Sequence, residues 1–172
     1  WLNKASKVHV APFGTFVHSR FILNYDDCGG CAACVGKPQL DMAYLHIETT
    51  VQNMGVKPKD YSLKHTLVDA SGKKIAEAAV SGRQILAKDS NHTEACIEVP
   101  KPHLWSCDDP YLYTVVTEVI CEGETVDSYS TATGIRHIAF NPDSGFQLNG
   151  EVVKLKGVNL HQDHAGVGSG IP

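Results

Sequence analysis

Apolar and polar residues alternate with period two along most of the chain. Leu45, Ile47, Thr49 and Val51 fall on one side of an extended segment, and His46, Glu48, Thr50 and Gln52 on the other. Successive side chains of a strand point to opposite faces, so this pattern predicts a half-buried β-strand. Tyr61, Leu63, His65 and Leu67 repeat it, and Ser71-Gly72 supplies turn chemistry before Ile75 to Val80, which predicts a hairpin. Ala95, Ile97 and Val99 alternate with Glu94, Cys96 and Glu98 up to Pro100, which has no N–H to give to a ladder. Tyr113, Val115 and Val119 predict another strand. Glu122-Gly123-Glu124 turns that strand into Thr125 to Phe140, a long stretch rich in β-branched and aromatic residues. Val8 to Arg20 reads as a first strand bent at Pro12 and Gly14.

Helical periodicity is nearly absent. About seven short strands separated by turn signals over roughly 140 residues predict an all-β, antiparallel sandwich, a pattern shared with barrels and jelly rolls. After Asn141 the pattern changes. Asp143 to Gly145 is a turn, Phe146 to Leu148 a short strand and Asn149-Gly150 a hairpin signal; Val152, Val153, Leu155 and Val158 then form a nearly continuous apolar run. Such a run suits a strand buried on both faces, as in parallel sheets. The predicted organisation is therefore a sandwich over 1–141 and the opening of a second domain over 142–172.

Composition narrows the classes of function. The 172 residues hold one core of ordinary size, and the formal charge of −4 is spread along the chain without a basic stripe, so no nucleic acid partner is expected. No run of about 18 apolar residues occurs, so no membrane-spanning helix is expected. A start at Trp1, with neither methionine nor a leader, reads as an internal piece of a longer chain. Six cysteines suit buried thiols, metal ligands or disulfides; they leave the compartment open, with a periplasmic or secreted location among the readings.

Several phrases then line up in order. Gly134-Ile135-Arg136, Ile138 and Phe140 are followed by Gly145-Phe146-Gln147-Leu148-Asn149-Gly150 and by Leu155-Lys156-Gly157-Val158-Asn159-Leu160-His161-Gln162-Asp163-His164. This resembles the junction between sandwich and catalytic barrel in family 2 glycoside hydrolases of the β-galactosidase type. Leu104-Trp105-Ser106 and Asp109-Pro110-Tyr111-Leu112-Tyr113 are similar to the loop and strand these sandwiches carry, and Trp1-Leu2 to the end of the preceding jelly roll. The resemblance is dense from Leu104 to Pro172 and loose before Tyr44. It implies an immunoglobulin-like sandwich with a C-terminal tail that is the first strand of a truncated TIM barrel.

In that family the barrel hydrolyses β-glycosidic bonds with retention, which needs two carboxyl groups about 5 Å apart, one as acid and one as nucleophile. The resemblance places both glutamates downstream. Glu151 and Asp163, the acids after the junction, fall at neither position, so no catalytic residue and no cofactor are expected here and the piece alone should be inert. It implies as partners the jelly roll and barrel of the parent chain and a β-galactoside or related carbohydrate. His161 and Asp163 would lie at the first βα corner, where active-site groups of barrels gather, and would contact sugar hydroxyls in the complete enzyme; Asn159 would support that corner. The competing expectation is that these side chains are simply solvated. The rival from another class is a stand-alone immunoglobulin-like module that binds glycans or mediates adhesion.

The resemblance does not explain Cys28-Gly29-Gly30-Cys31-Ala32-Ala33-Cys34. Its spacing invites iron–sulfur or zinc ligation, but no fourth cysteine follows at motif spacing. A glycine-rich insertion whose thiols pair or stay free is the plainer expectation. Cys96 and Cys121, inside predicted strands, are expected to be buried. His46 and His65 are read as structural. Trp105 is expected to anchor its loop, with a carbohydrate platform as the sharper alternative; Arg136 is read as an exposed charge or as the partner of an acid at the barrel interface.

Overall fold

The computed structural model describes residues 4–24, 37–159 and 166. Among these residues it contains ten strands and no helix. Seven build the sandwich: β1 (Val8–Asn24), β2 (Lys37–Asn53), β3 (Lys59–Val68), β4 (Lys74–Ile85), β5 (Ser90–Pro100), β6 (Tyr113–Cys121) and β7 (Glu124–Thr133). One sheet has the order β1-β2-β5, the other β4-β3-β6-β7, and every pairing is antiparallel. The chain changes sheets after β2, β4 and β5. This is a Greek-key sandwich of immunoglobulin type. A third, small sheet follows: β8 (Ile138–Asn141), β9 (Gly145–Leu148) and β10 (Glu151–Val152), in the order β10-β9-β8.

The period-two pattern decides which side chains enter the sandwich. Leu45, Ile47, Thr49 and Val51 of β2 are fully buried, and so, within a few per cent, are Tyr61, Leu63, His65 and Leu67 of β3. The interior has two apolar clusters. One joins Leu45, Ile47, Leu67, Ile97, Val99, Val115 and Ile135; the other joins Val8, Val10, Val51, Tyr61, Leu63, Ile85 and Val119. Between them runs a belt of buried polar groups from both sheets: Thr49, Thr93, His65 and Thr117. His65 Nδ1 lies 3.0 Å from Thr117 Oγ1, and Thr93 Oγ1 donates to the Thr49 carbonyl at 3.2 Å. These bonds offset the cost of taking the His65, Thr117 and Thr93 side chains out of water, whereas the buried Thr49 hydroxyl has no partner among the described residues. Burial pushes the His65 imidazole down to about 4, so it is neutral at pH 7.

The bend expected in the first strand is a bulge, with the β1–β2 register shifting between Val10 and Thr15. A side chain at Gly14 would come within 2.6 Å of the Ala11 carbonyl and 2.9 Å of that of Thr50, so the close passage of the two strands requires glycine there. The β3–β4 turn forms where Ser71-Gly72 predicts it. Asp69 Oδ1 accepts hydrogen bonds from the Ser71 and Lys73 amides and the Ser71 hydroxyl.

The stretch 125–140 holds two strands, β7 and β8, interrupted at 134–137. Two expectations change. The apolar run from Val152 to Val158 does not form a strand buried on both faces: β10 ends at Val152, and Val152, Leu155 and Val158 are exposed. Cys96 is exposed rather than buried, whereas Cys121 is buried as expected. Cys96 follows the parity of its strand: Glu94, Cys96 and Glu98 share the outer face of β5.

Candidate functional site

The interruption between β7 and β8 is where the described residues carrying the family resemblance converge. Gly134 passes so close to Trp105 that a Cβ there would sit 2.9 Å from the Cβ, Cγ and Cδ1 atoms of the tryptophan. Only a residue without a side chain fits. Ile135 then points inward and is fully buried in the larger apolar cluster, while its carbonyl accepts from the Trp105 amide at 2.8 Å. Arg136 points outward, its guanidinium carbon 4.9 Å from the centre of the Trp105 ring, a cation–π placement. The Ser19 hydroxyl of β1 donates to the Arg136 carbonyl at 2.7 Å and accepts from the Arg136 amide at 3.0 Å.

Asn149 closes the arrangement. Its amide donates to the His137 carbonyl at 2.8 Å, its Oδ1 accepts from the His137 amide at 3.0 Å, and its Nδ2 donates to the Trp105 carbonyl at 3.0 Å. The residue has φ of 53°, a left-handed conformation that asparagine tolerates better than most. One side chain in the β9–β10 turn thus ties the small sheet to both the Trp105 loop and the crossing strand. The loop is itself braced. His103 stacks on Tyr111 with ring centres 4.0 Å apart, its Nε2 lies 2.6 Å from Asp109 Oδ2, and its amide donates to the Tyr113 hydroxyl at 2.8 Å. The amide, indole and guanidinium groups at this junction are engaged with one another, so it can hold the β8–β10 hairpin in place.

Beside the junction an open groove of about 710 Å³ is lined by β1 and the 132–138 stretch, with Phe16, Leu112, Arg136, His137 and Ile138 on its walls. Phe21 meets the His137 ring edge-on at 6.0 Å, and burial lowers the His137 pKa. On the outer face of the three-stranded sheet, His18 and His46 stack nearly parallel with centres 5.3 Å apart, and Arg20 Nε donates to His18 Nε2 at 3.2 Å. Burial, then the charges of Arg20 and His18, lower the His46 pKa, while Glu94 and Glu48 oppose them. Among the described residues no three His, Cys, Asp or Glu side chains converge as metal ligands.

The sequence candidates divide accordingly. His161, Asp163, His164, Cys28, Cys31 and Cys34 lie outside the described residues. Asn159 is described and exposed, at the end of a segment, 154–159, that joins no sheet. Trp105 is a half-buried anchor. Arg136 lies over its ring and Gly134 against its Cβ, Cγ and Cδ1 atoms. Arg136 is engaged with that ring. Asn149 is the residue that sequence reasoning undervalued: it reads as turn chemistry, and nothing local in sequence announces its bond to a carbonyl 44 positions away.

Comparison with known proteins gives the family and the fold. Residues 36–136 match the sequence profile of Glycosyl hydrolases family 2. A β-galactosidase of Bacteroides ovatus is 33% identical over 171 residues, which cover 99% of this chain and 18% of that protein. A β-glucuronidase of Formosa agariphila is 31% identical over 137 residues, covering 76% of this chain and 13% of the relative. A crystal structure of a family 2 member from Bacteroides cellulosilyticus superposes with a TM-score of 0.73 at 28% identity, covering 96% of this chain and 20% of that one. The chain spans less than a fifth of the length of these curated relatives.

Proposed function

The chain belongs to glycosyl hydrolase family 2, and on that premise we propose that it is the supporting β-sandwich of a retaining, β-galactosidase-like enzyme, holding a catalytic barrel in register with the domain before it. The observation that carries this reading is the alignment of 99% of the chain with the B. ovatus β-galactosidase. The junction supports it in physical terms. A hairpin fixed by Asn149 and Trp105 delivers residues 154–159 in one direction, as an enzyme needs when groups on the following segment must be placed against a substrate.

In this reading 142–172 opens the barrel. His161 and Asp163 reach sugar hydroxyls from the first βα corner, and Asn159 supports that corner. Imidazole and carboxylate each orient a hydroxyl through hydrogen bonding without taking part in bond cleavage. Protonation of the leaving oxygen and attack on the anomeric carbon belong to two carboxyl groups of the barrel outside these 172 residues.

A panel of chromogenic β-glycosides tests the proposal on this chain and, in parallel, on the longer natural polypeptide. The 172-residue chain should be inert and the longer one should release galactose selectively. Turnover by the chain alone, or an inert longer polypeptide, would overturn it.

A further inference from the structure

The β9–β10 turn holds the only Asn-Gly pair among the 172 residues, Asn149-Gly150. With φ of 53° and 83°, these are the central residues of a tight hairpin turn between the paired Leu148 and Glu151. The same pair carries chemistry that the turn does not need. The Gly150 nitrogen can attack the side-chain carbonyl carbon of Asn149 and close a cyclic imide, and glycine leaves that nitrogen unhindered. Even a Cβ at position 150 would have Pro38, at 3.6 Å, as its nearest neighbour among the described residues. What stands in the way is the junction. The carboxamide plane of Asn149 is held at both ends: Oδ1 accepts from the His137 amide at 3.0 Å, and Nδ2 donates to the Trp105 carbonyl at 3.0 Å. Attack requires that plane to turn face-on to the Gly150 nitrogen, and it cannot turn without breaking these directional bonds.

From this arrangement we propose that Asn149 is a deamidation site gated by the junction: the closed junction shields it, and each opening of the β8–β10 hairpin exposes it to conversion. In the reaction a bond forms between the Gly150 nitrogen and Asn149 Cγ, the Cγ–Nδ2 bond breaks, and Nδ2 leaves as ammonia with the proton that Gly150 gives up. Water, the sole co-reactant, then opens the imide at either of its C–N bonds. One product is aspartate; the other is isoaspartate, with the main chain rerouted through Cβ and Cγ. The gate moves independently of the sandwich, because Leu148 is the buried apolar residue of the described hairpin strands and elements with little buried surface open locally before the whole fold does. The product cannot close it again. A carboxylate has no proton for the Trp105 carbonyl, so two acceptor oxygens would face each other where a 3.0 Å hydrogen bond stood. Isoaspartate also adds a backbone carbon to a turn whose register pairs Leu148 with Glu151. A single slow reaction thus makes a transient opening permanent, and residues 154–159 lose their fixed direction.

Mass spectrometry of the tryptic peptide 137–154, after incubation of the folded protein at mildly alkaline pH, tests the proposal. Replacement of NH2 by OH changes the mass, fragmentation assigns the position, and chromatography separates the aspartyl and isoaspartyl products. Asn141 in the same peptide is an internal control, since the Pro142 nitrogen carries no hydrogen and cannot close the imide. The folded protein should convert at least about tenfold more slowly than the isolated peptide, the factor expected when two hydrogen bonds of ordinary net strength must break first. Gly134→Ala, which drives a Cβ into Trp105, should return most of that factor while circular dichroism shows the sandwich intact. Should that variant fail to fold, urea below the unfolding transition takes its place, and conversion should rise together with amide exchange at 138–148. Equal rates in folded protein and peptide overturn the gate, as does conversion that appears only with global unfolding or that stays unchanged while the hairpin exchanges faster. A peptide that does not convert at Asn149 overturns the site itself.

Discussion

The sandwich and the hairpin that follows it are held by opposite means. In the sandwich, inward side chains of two sheets fill two apolar clusters, with a belt of buried polar groups between them and a further hydrogen-bonded polar residue, Asn53, buried at the end of β2. In the β8–β10 hairpin, Leu148 is the buried apolar residue among the described strands, and the attachment to the sandwich runs through directional bonds of Asn149, Trp105 and Arg136. A core tolerates imprecise angles because burial is non-directional, whereas a few hydrogen bonds fix an angle and supply little stability. The first region is built to be stable and the second to be aimed.

Three substitutions can break or sharpen this contrast. The largest effect is expected from Leu45→Ala, which empties a fully buried site in the larger cluster and should cost about 2–5 kcal/mol. Urea unfolding followed by circular dichroism would show the whole sandwich shifting; a change confined to the hairpin would contradict the separation. Next is the polar belt. The folded pKa of His65, about 4, lies below the ordinary 6.5, so the unfolded chain takes up the proton first as pH falls. The stability is complete above pH 6.5 and declines between about 6.5 and 4, by about 3 kcal/mol over that window. Comparing unfolding midpoints across this range in the native protein and in His65→Phe isolates the contribution, and an unchanged slope in the variant would remove His65 as its source. The smallest effect belongs to Asn149→Ala. Losing its side-chain bonds should cost about 1–3 kcal/mol, felt mainly by the hairpin. Hydrogen exchange should rise at 138–148 while the β2 and β3 amides keep their protection; uniform loosening would show that the two regions act as one.

How much of this was legible in the sequence follows the same division. Alternation located the inward faces of β2, β3, β5 and β6, because burial on one side of a sheet leaves its mark at every second residue. The turns at Ser71-Gly72, Glu122-Gly123 and Asn149-Gly150 were legible from local chemistry alone. The break between β7 and β8 was not: 134–137 keeps β-like composition, and the chain leaves its sheet there because Gly134 must clear Trp105, 29 positions earlier. The exposed Cys96 was readable from the parity of its own strand, and the general tendency of cysteine to be buried misleads at that position. The family phrases marked the junction before its geometry explained them. Their glycine, arginine and asparagine are the residues that make the contacts.

The hydroxyl of Ser19 has a consequence for life in a crowded solution. A single side chain occupies both the amide and the carbonyl of residue 136, the two groups through which a strand from another molecule would begin to pair. The crossing segment borders an open groove and carries β-forming residues, the setting in which proteins recruit one another into aggregates. With those two groups already satisfied from within, residue 136 itself offers no backbone template to a neighbouring strand.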